Sequence, residues 1–272
     1  MFTRSLQVVI PATLLVASPL AAQYQRTVGD TLHYEEQTHS TIDMETPGGP
    51  MTLRSSHQAT IAVAFGPGDT ATGWYEALRL EQETPGGPQQ PSTDALLDQP
   101  FELSFDDRGR VSTRSAPDIP PEIRSMGDLG RQFDDFFISL PEDNLAVGTE
   151  WSDTIVSGPV QGGGPGTIQS RRVRSYRVER DTVVGGVRGI VIRVDQTIGV
   201  QASGPTPGQD FTAETDLRGT ESGIAVFLPA EGVLYARRRS GRLDGMTLVT
   251  GAGGEFQIPQ AIQYESSLTL RR

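Results

Sequence analysis

The stretch "TLHYEEQTHSTIDMETPGGPMTLRSSHQATIAVAF", Thr31 to Phe65, decides the fold. Its centre, "PGGP", supplies the fixed φ of proline and then the positive φ open to glycine, the chemistry of a tight turn. With residues 47–50 as the loop, Thr46 faces Met51, Met44 faces Leu53 and Ile42 faces Ser55. Further out, Ser40 meets His57, Tyr34 meets Val63 and Leu32 meets Phe65. The apolar members share one face. His33, Glu35, Gln37, His39, Thr41 and Asp43 share the other. A one-residue slip would exchange the faces, so the hairpin is well specified.

The turn "GPGD" at 66–69 extends the pattern. Phe65 then faces Thr70, Ile61 meets Trp74, His57 meets Leu78 and Ser55 meets Leu80. Three antiparallel strands thus share an apolar face. The hexapeptide "ETPGGP" of Glu45–Pro50 returns at Glu83–Pro88, but "QQPSTDALLDQP" follows it. Pro91 and Pro100 break any ladder there. The repeat is a turn used twice, closing a hairpin once and ending a strand once, and not a duplicated unit.

"FELSF" at 101–105 alternates. Then apolar residues recur at Ile119, Ile123, Met126, Leu129, Phe133, Phe136 or Phe137, and Leu140, the spacing of a helix. Asp118 can cap it, Pro120 and Pro121 suit its first turn, and Pro141 ends it. Strands are expected at 167–182, 188–202, 211–219, 222–229, 232–240, 243–250 and 255–270. The expectation is a mainly β chain: a large curved antiparallel sheet, an unclosed half-barrel of about eleven strands, with the amphipathic helix on its concave face. Residues 23–272 read as one β-rich domain, with 23–115 and 150–272 as an alternative pair of sub-lobes joined by helix 118–140.

Residues 1–22 read as a signal peptide, with Arg4, an apolar run from Leu6 to Val16, and small residues before Ala22, where cleavage is expected. The apolar run is too short to span a membrane. The expected destination is the periplasm or the exterior. The 272 residues contain no Cys, so no disulfide forms and no lipid anchor attaches through a lipobox. Net charge is −11, and losing Arg4 makes it −12, which argues against a nucleic-acid partner. All 23 basic residues are Arg. The chain ends "LTLRR" and is 7% aromatic, thin for the girdles of an outer-membrane barrel.

The stretch "VERDTVVGGVRGIVIRVDQT" at 178–197 resembles a strand–turn–strand of bacterial outer-membrane lipoprotein-sorting carriers of the LolA/LolB kind. "FELSFDDRGRV" at 101–111 and "LPEDNLAVGTEW" at 140–151 resemble pieces of other exported β-rich proteins. The resemblance implies an unclosed antiparallel barrel covered by helix, with an apolar cavity for acyl chains. Those carriers use more helices than the single one expected here.

Catalytic signatures are missing. The chain has no Cys nucleophile, no G-x-S-x-G, no P-loop and no G-x-G-x-x-G after a strand. His33 and His39 stand about 20 Å apart along an extended strand, too far for one metal. They read as part of a solvated face with Glu35. His57 falls instead on the apolar face with Glu36 and, diagonally, Glu76. This is a polar cluster at a wet rim, or else one inside a ligand cavity that changes charge below pH 7. The candidate cavity is lined by Tyr34, Glu36, His57, Ile61, Trp74, Glu76, Phe133 and Phe137. Arg171–Arg180 divides its charges between two faces, and "RRRSGR" at 237–242 reads as a hairpin tip; both read as exposed Arg paired with carboxylates. The expectation is a non-enzymatic exported protein, without metal or cofactor, holding a lipid or other apolar molecule between sheet and helix. The alternative is an envelope interaction module with a filled core.

Overall fold

The computed structural model describes residues 23–25, 27–124, 126, 129–142, 144–158, 166–205, 211–251 and 254–272. The expected leader, 1–22, lies outside them. The described chain is mainly β, and one antiparallel sheet takes in both halves of it. The elements are β1 (Thr31–Thr46), β2 (Gly49–Phe65), β3 (Thr70–Thr84), β4 (Gly87–Gln89), β5 (Phe101–Phe105), β6 (Val111–Ser115), helix α1 (Pro121–Arg124), β7 (Glu150–Ser157), β8 (Thr167–Val184), β9 (Val187–Pro205), β10 (Phe211–Leu228), β11 (Val233–Gly251) and β12 (Gly254–Leu270). Short 3-10 turns cover Asp94–Leu96 and Leu129–Asp135. The strand order is β6-β5-β3-β2-β1-β12-β11-β10-β9-β8-β7, with β4 beside β3. Two meanders run outward from the centre, where the last strand pairs with the first. The result is a nearly closed, barrel-like sheet whose edges are β6 and β7.

The first hairpin keeps the expected faces but tightens by two residues. Thr46 pairs Gly49, Ser40 pairs Ser55 and Tyr34 pairs Ile61. Only Pro47 and Gly48 lie in the turn, and Gly49 takes the positive φ of 112°. An even shift preserves the faces, so the alternation could not reveal it. The second "ETPGGP" also closes a hairpin: Thr84 pairs Gly87, whose φ is 107°, before Pro91 stops β4. In both copies the threonine hydroxyl donates to the carbonyl of the positive-φ glycine, at 2.8 and 3.0 Å.

The next hairpin departs further. Ile61 pairs Tyr75, Thr60 pairs Ala77, and Glu76 is the extra residue of a bulge. Phe65 pairs Ala71 and not Thr70, so the loop is one residue longer than expected and Tyr75 takes the inward position expected of Trp74; the bulge then moves the register by one more. Beyond the bulge His57 pairs Leu80, and the apolar face resumes. The Gly185-Gly186 turn is a two-residue loop with φ of 55° and 85°, as a type I′ turn requires. The register irregularity of this hairpin lies away from the turn, between Val178 and Arg180. The segments 211–219 and 222–229 are one strand, as are 232–240 and 243–250. The glycines of "RGTESG" and "SGRLDG" are not turns. A Cβ on Gly219, Gly223 or Gly245 would be driven into the neighbouring strand's backbone. Only glycine fits that backbone path, and glycines inside strands mark such tight bends.

The single helix expected over 119–140 does not form. Its place holds α1, then the 3-10 turn of Leu129–Asp135, kinked at Arg131, then an irregular strap that bends at Phe136 and Phe137 and runs to Leu140. The glycines of this segment and its ion-pairing acids win over the periodicity. Its apolar residues still face the core. Phe133, Phe136, Phe137, Ile138 and Leu140 are buried. The three phenylalanines contact Tyr34, Phe101 and Phe105 through edge or tilted ring pairs 4.9–5.9 Å apart. Tyr24 is buried against Phe105, Phe137 and Phe227, and its hydroxyl donates to the Ile138 carbonyl at 3.0 Å.

A Cβ on Gly73 of β3 would be forced into the Phe133 ring, whereas one on Gly199 meets nothing within 4 Å. Gly73→Ala should therefore cost about 1–3 kcal/mol of stability through overpacking. Gly199→Ala should be close to neutral, and urea denaturation reads the difference.

Candidate functional site

Cross-strand partners share a face of the sheet, so the pairing divides the inward face into three zones along the strands. The first is the aromatic core. Tyr34, Ile61, Tyr75, Phe133 and Phe137 are essentially inaccessible to solvent, and the Tyr34 hydroxyl donates to the Leu234 carbonyl at 3.1 Å. The interior between sheet and strap is filled.

The second zone is a charged layer built around Asp135. Its carboxylate lies 2.9 Å from Arg172 Nη1 and 2.8 Å from Arg174 Nη1, and it also accepts from Arg239. Arg237 donates to the backbone carbonyls of Asp135 and, at 2.9 Å, Phe136. Arg174 grips Asp153 of β7 through two further bonds, at 2.8 and 2.6 Å. Glu221 accepts from Gln196 and from the Tyr264 hydroxyl, each at 2.6 Å. Arg239 has room because its partner on β10 is Gly223. Burial alone would raise the Asp135 carboxyl. The guanidiniums of Arg239, Arg172, Arg174 and Arg237 outweigh it and hold the carboxyl far below the usual range. Burial, with Arg239 alongside, lowers Arg237 to about 10.

At the border of these zones Glu36 is buried and accepts from the Gln132 amide. His57 lies against Tyr75, with ring centroids 6.4 Å apart. His57 Nε2 and the Tyr75 hydroxyl are shielded and have no hydrogen-bond partner among the described residues. Burial lowers the His57 pKa, and Glu36 opposes that in part.

The third zone is the distal half of the long strands. Its inward positions carry Ile42 and Met44 on β1, Met51 and Leu53 on β2, and Phe256, Ile258 and Ile262 on β12. Leu243, Leu217, Ile198 and Val200 continue the row across β11, β10 and β9. Ile198, Leu217 and Leu243 bury one another as a small separate cluster, and the others are half-buried. The substantial contacts between elements join neighbouring strands, apart from the 3-10 turn on β6. No described element covers this apolar face.

The structure therefore brings Tyr34, Glu36, His57, Ile61, Phe133 and Phe137 together, inside a packed core and not around a void. Two expected members are elsewhere. Trp74 lies on the outward face beside Ala62, because the loop between β2 and β3 is one residue longer than expected. Glu76 also turns outward and sits 3.1 Å from His33 Nδ1. The Arg groups are not simply exposed either. Residues 237–242 lie within β11 and are no hairpin tip, with Arg237 and Arg239 inward. Arg172 and Arg174 point inward too, whereas Arg180 is exposed and pairs with Glu179. The missed residues, Asp135, Asp153 and Glu221, had one legible signal: Arg172/Arg174 and Arg237/Arg239 occupy alternate, inward positions. Among the described residues no group of His, Asp or Glu could hold a metal ion, and no helix is long and apolar enough to cross a membrane.

No protein-family model matches this chain, and no curated protein matches it either. Among solved structures, a lipovitellin studied for lipid–protein interactions aligns with 91% of this chain at 12% identity and TM-score 0.49. The chain spans 26% of that protein's length. Neisserial surface protein A aligns over 87% of this chain and 96% of its own, at 7% identity and TM-score 0.24. The translocator domain of autotransporter NalP from Neisseria meningitidis aligns over 90% and 89%, at 11% identity and TM-score 0.20. All are β-rich, and no lipoprotein-sorting carrier is among these neighbours. None of the three scores reaches 0.5, so no functional argument rests on them.

Asp135→Asn would leave three inward guanidiniums without their shared counter-ion. Removing one partner of a buried pair costs about 3–5 kcal/mol. The folded pKa lies below the ordinary 3.8, so Asp135 contributes stability above about pH 4 that is lost as pH falls toward the folded value. Denaturation at pH 7 and pH 3 should show a smaller acid loss in Asp135→Asn than in the wild type. His57 acts with the same sign in a higher window. Its folded pKa is below 6.5, so folding weakens as pH drops under 6.5, and His57→Asn should flatten the slope between pH 7 and 5.

Proposed function

We propose that this is an exported, non-enzymatic binding protein whose apolar ligand lies on the distal inward face of the sheet. The observation that carries this reading is the row of apolar side chains from β2 to β9 that no described element covers. Contiguous apolar surface of this kind marks a binding site in soluble proteins. The ligand does not lie between sheet and strap, where the aromatic core leaves no room. A lipid acyl chain is the occupant of choice, since the face offers a long apolar row whose inward polar groups, Thr215, Thr247 and Gln260, bond to one another. The polar rungs bounding it, Ser40–Ser55 and Thr38–Ser266, can meet a headgroup. The carrier layout of the LolA/LolB kind remains part of this proposal, with one strap in place of several covering helices.

Export is part of the same reading. Tyr24, two residues past the expected cleavage after Ala22, packs in the core, so the mature chain would keep its anchor. The outward strand face carries His39, Thr41 and Asp43 on β1 and Arg242 and Asp244 on β11, which does not suit a lipid-facing barrel wall. Absence of enzymatic activity is proposed from the lack of an assembled nucleophile and base. The filled core favours a second reading, an interaction module of the envelope, in which a protein covers the same face.

Organic extraction of natively purified protein should release a lipid detectable by mass spectrometry. Ile42→Asp and Ile258→Asp together should weaken binding of a fluorescent fatty acid more than tenfold, since each buried Ile contributes about 1.5–3 kcal/mol. A lipid-free extract with no fatty-acid binding, alongside capture of an envelope protein that the double variant loses, would shift the assignment to the second reading.

A further inference from the structure

The outward face of the same sheet holds a second feature that the apolar-ligand reading does not use. A trough of about 870 Å³ lies across the middle of β8, β9, β10, β11, β12 and β1. Each strand contributes an outward pair, as Thr220 and Ser222 do on β10. Five strand spacings make it about 24 Å wide. A barrel wall is ordinarily convex outside, so a hollow of this size is unexpected. It falls within the volumes typical of ligand sites, about 300–1,000 Å³.

Its lining is mostly polar. Thr41, Thr197, Thr220, Ser222, Ser240 and Gln263 bring hydroxyls and an amide that bond to no described residue. These groups donate and accept equally well, which matches a ligand that does the same. Charges are mostly spoken for. Arg242 holds Asp244 at 2.9 and 2.7 Å, and Arg193 holds Asp195 at 2.7 and 3.3 Å. Glu265 and His39 face each other across β12 and β1 without a bond. A smaller trough of about 550 Å³ shares His39, Ser222, Ser240 and Glu265, and adds Arg238. The field across both is close to balanced.

This composition excludes several partners. Val173 is the one apolar side chain of the larger trough that points outward, too little for a lipid. Trp and Met, anchors of protein interfaces, do not line it, and its one Tyr, Tyr264, points inward and donates to Glu221. Phosphate chains need a basic cluster, and here the larger trough has one Arg, Arg242, which is paired with Asp244. A hydroxyl-rich neutral chain meets all these conditions.

We propose that the outward trough binds a neutral glycan, laid across the strands and held by side-chain hydroxyls and Gln263. The site is separate from the apolar face and does not depend on it. Titration calorimetry of the purified exported chain with maltohexaose, cellohexaose, chitohexaose and the anionic hexagalacturonate tests it. Saturable binding of at least one neutral hexamer is expected, with the anionic one weaker. Ser222→Leu with Ser240→Leu should reduce that affinity at least tenfold, and the near-isosteric Thr220→Val a few-fold. The Ile42→Asp, Ile258→Asp protein should bind the glycan as the wild type does. Failure of every neutral hexamer to bind, preference for hexagalacturonate, or full affinity in the folded leucine and valine variants would overturn the proposal.

Discussion

The carboxylate of Asp135, held by Arg172, Arg174 and Arg239, is the constraint on which the rest of this structure depends. It fixes the middle of an irregular segment to β8 and β11 at once. The same segment is tied to β6 where the Thr113 amide donates to Asp134 at 2.8 Å. It is tied to β7 where the Trp151 indole donates to the Ser139 carbonyl at 2.8 Å. The two edge strands of the sheet are thereby bridged through a strap that pairs with neither as a strand. Magnitudes divide the labour. A buried ion cluster contributes little net stability compared with apolar residues of the same volume. Three buried phenylalanines contribute about 1.5–3 kcal/mol each. The strap's aromatics supply the energy, and the guanidiniums decide where the strap lies.

The strand faces were legible because a period of two leaves little freedom once one face is buried. Tyr34, Glu36, His57 and Ile61 all point where alternation placed them. What alternation could not supply is absolute register. A two-residue error in the first hairpin leaves every face unchanged, and the glycine count of "PGGP" allows either loop. The second hairpin is the opposite case, with a loop one residue longer than expected and a bulge at Glu76 that restores the faces of Leu78 and Leu80. The longer loop reverses the faces of Trp74 and Tyr75, and both are aromatics that suit either side. Nothing local distinguishes them. The strap shows a third kind of limit. Its spacing of three and four is also that of residues in a kinked chain packed into a narrow interior, so periodicity marked burial but not helix.

The charged layer was hidden for a different reason. A run such as "RRVRSYRVER" ordinarily lies in water, and exposed pairing is the expected outcome for most of it. Arg177 and Arg180 follow that expectation. Arg172 and Arg174 do not, because their counter-charge comes from a segment 37–39 residues upstream whose position alternation cannot give. Glycine carried the complementary information. Gly223 stands opposite Arg239 and Gly241 lies under the Tyr264 ring, each vacating the space that a large polar side chain fills. In a chain with 31 glycines, those inside long strands mark where bulky groups converge.

The distal half of the sheet follows from the strand lengths. A core the size of the aromatic zone would be served by strands of ordinary length, about five or six residues. Here β8 to β12 run 17 to 19 residues and continue well beyond the charged layer. If the extension met only water, its two faces would have no reason to differ. On β12 they differ: Ile258 and Ile262 point inward, while Gln257 and Gln263 point outward. Alternation maintained over a part of the sheet with no described cover is the feature on which the proposed apolar-ligand site rests. The outward face, hollowed and lined with unpaired hydroxyls, carries the opposite chemistry a strand's thickness away. The two proposed sites therefore lie on opposite faces of one sheet whose curvature the strap fixes at one end.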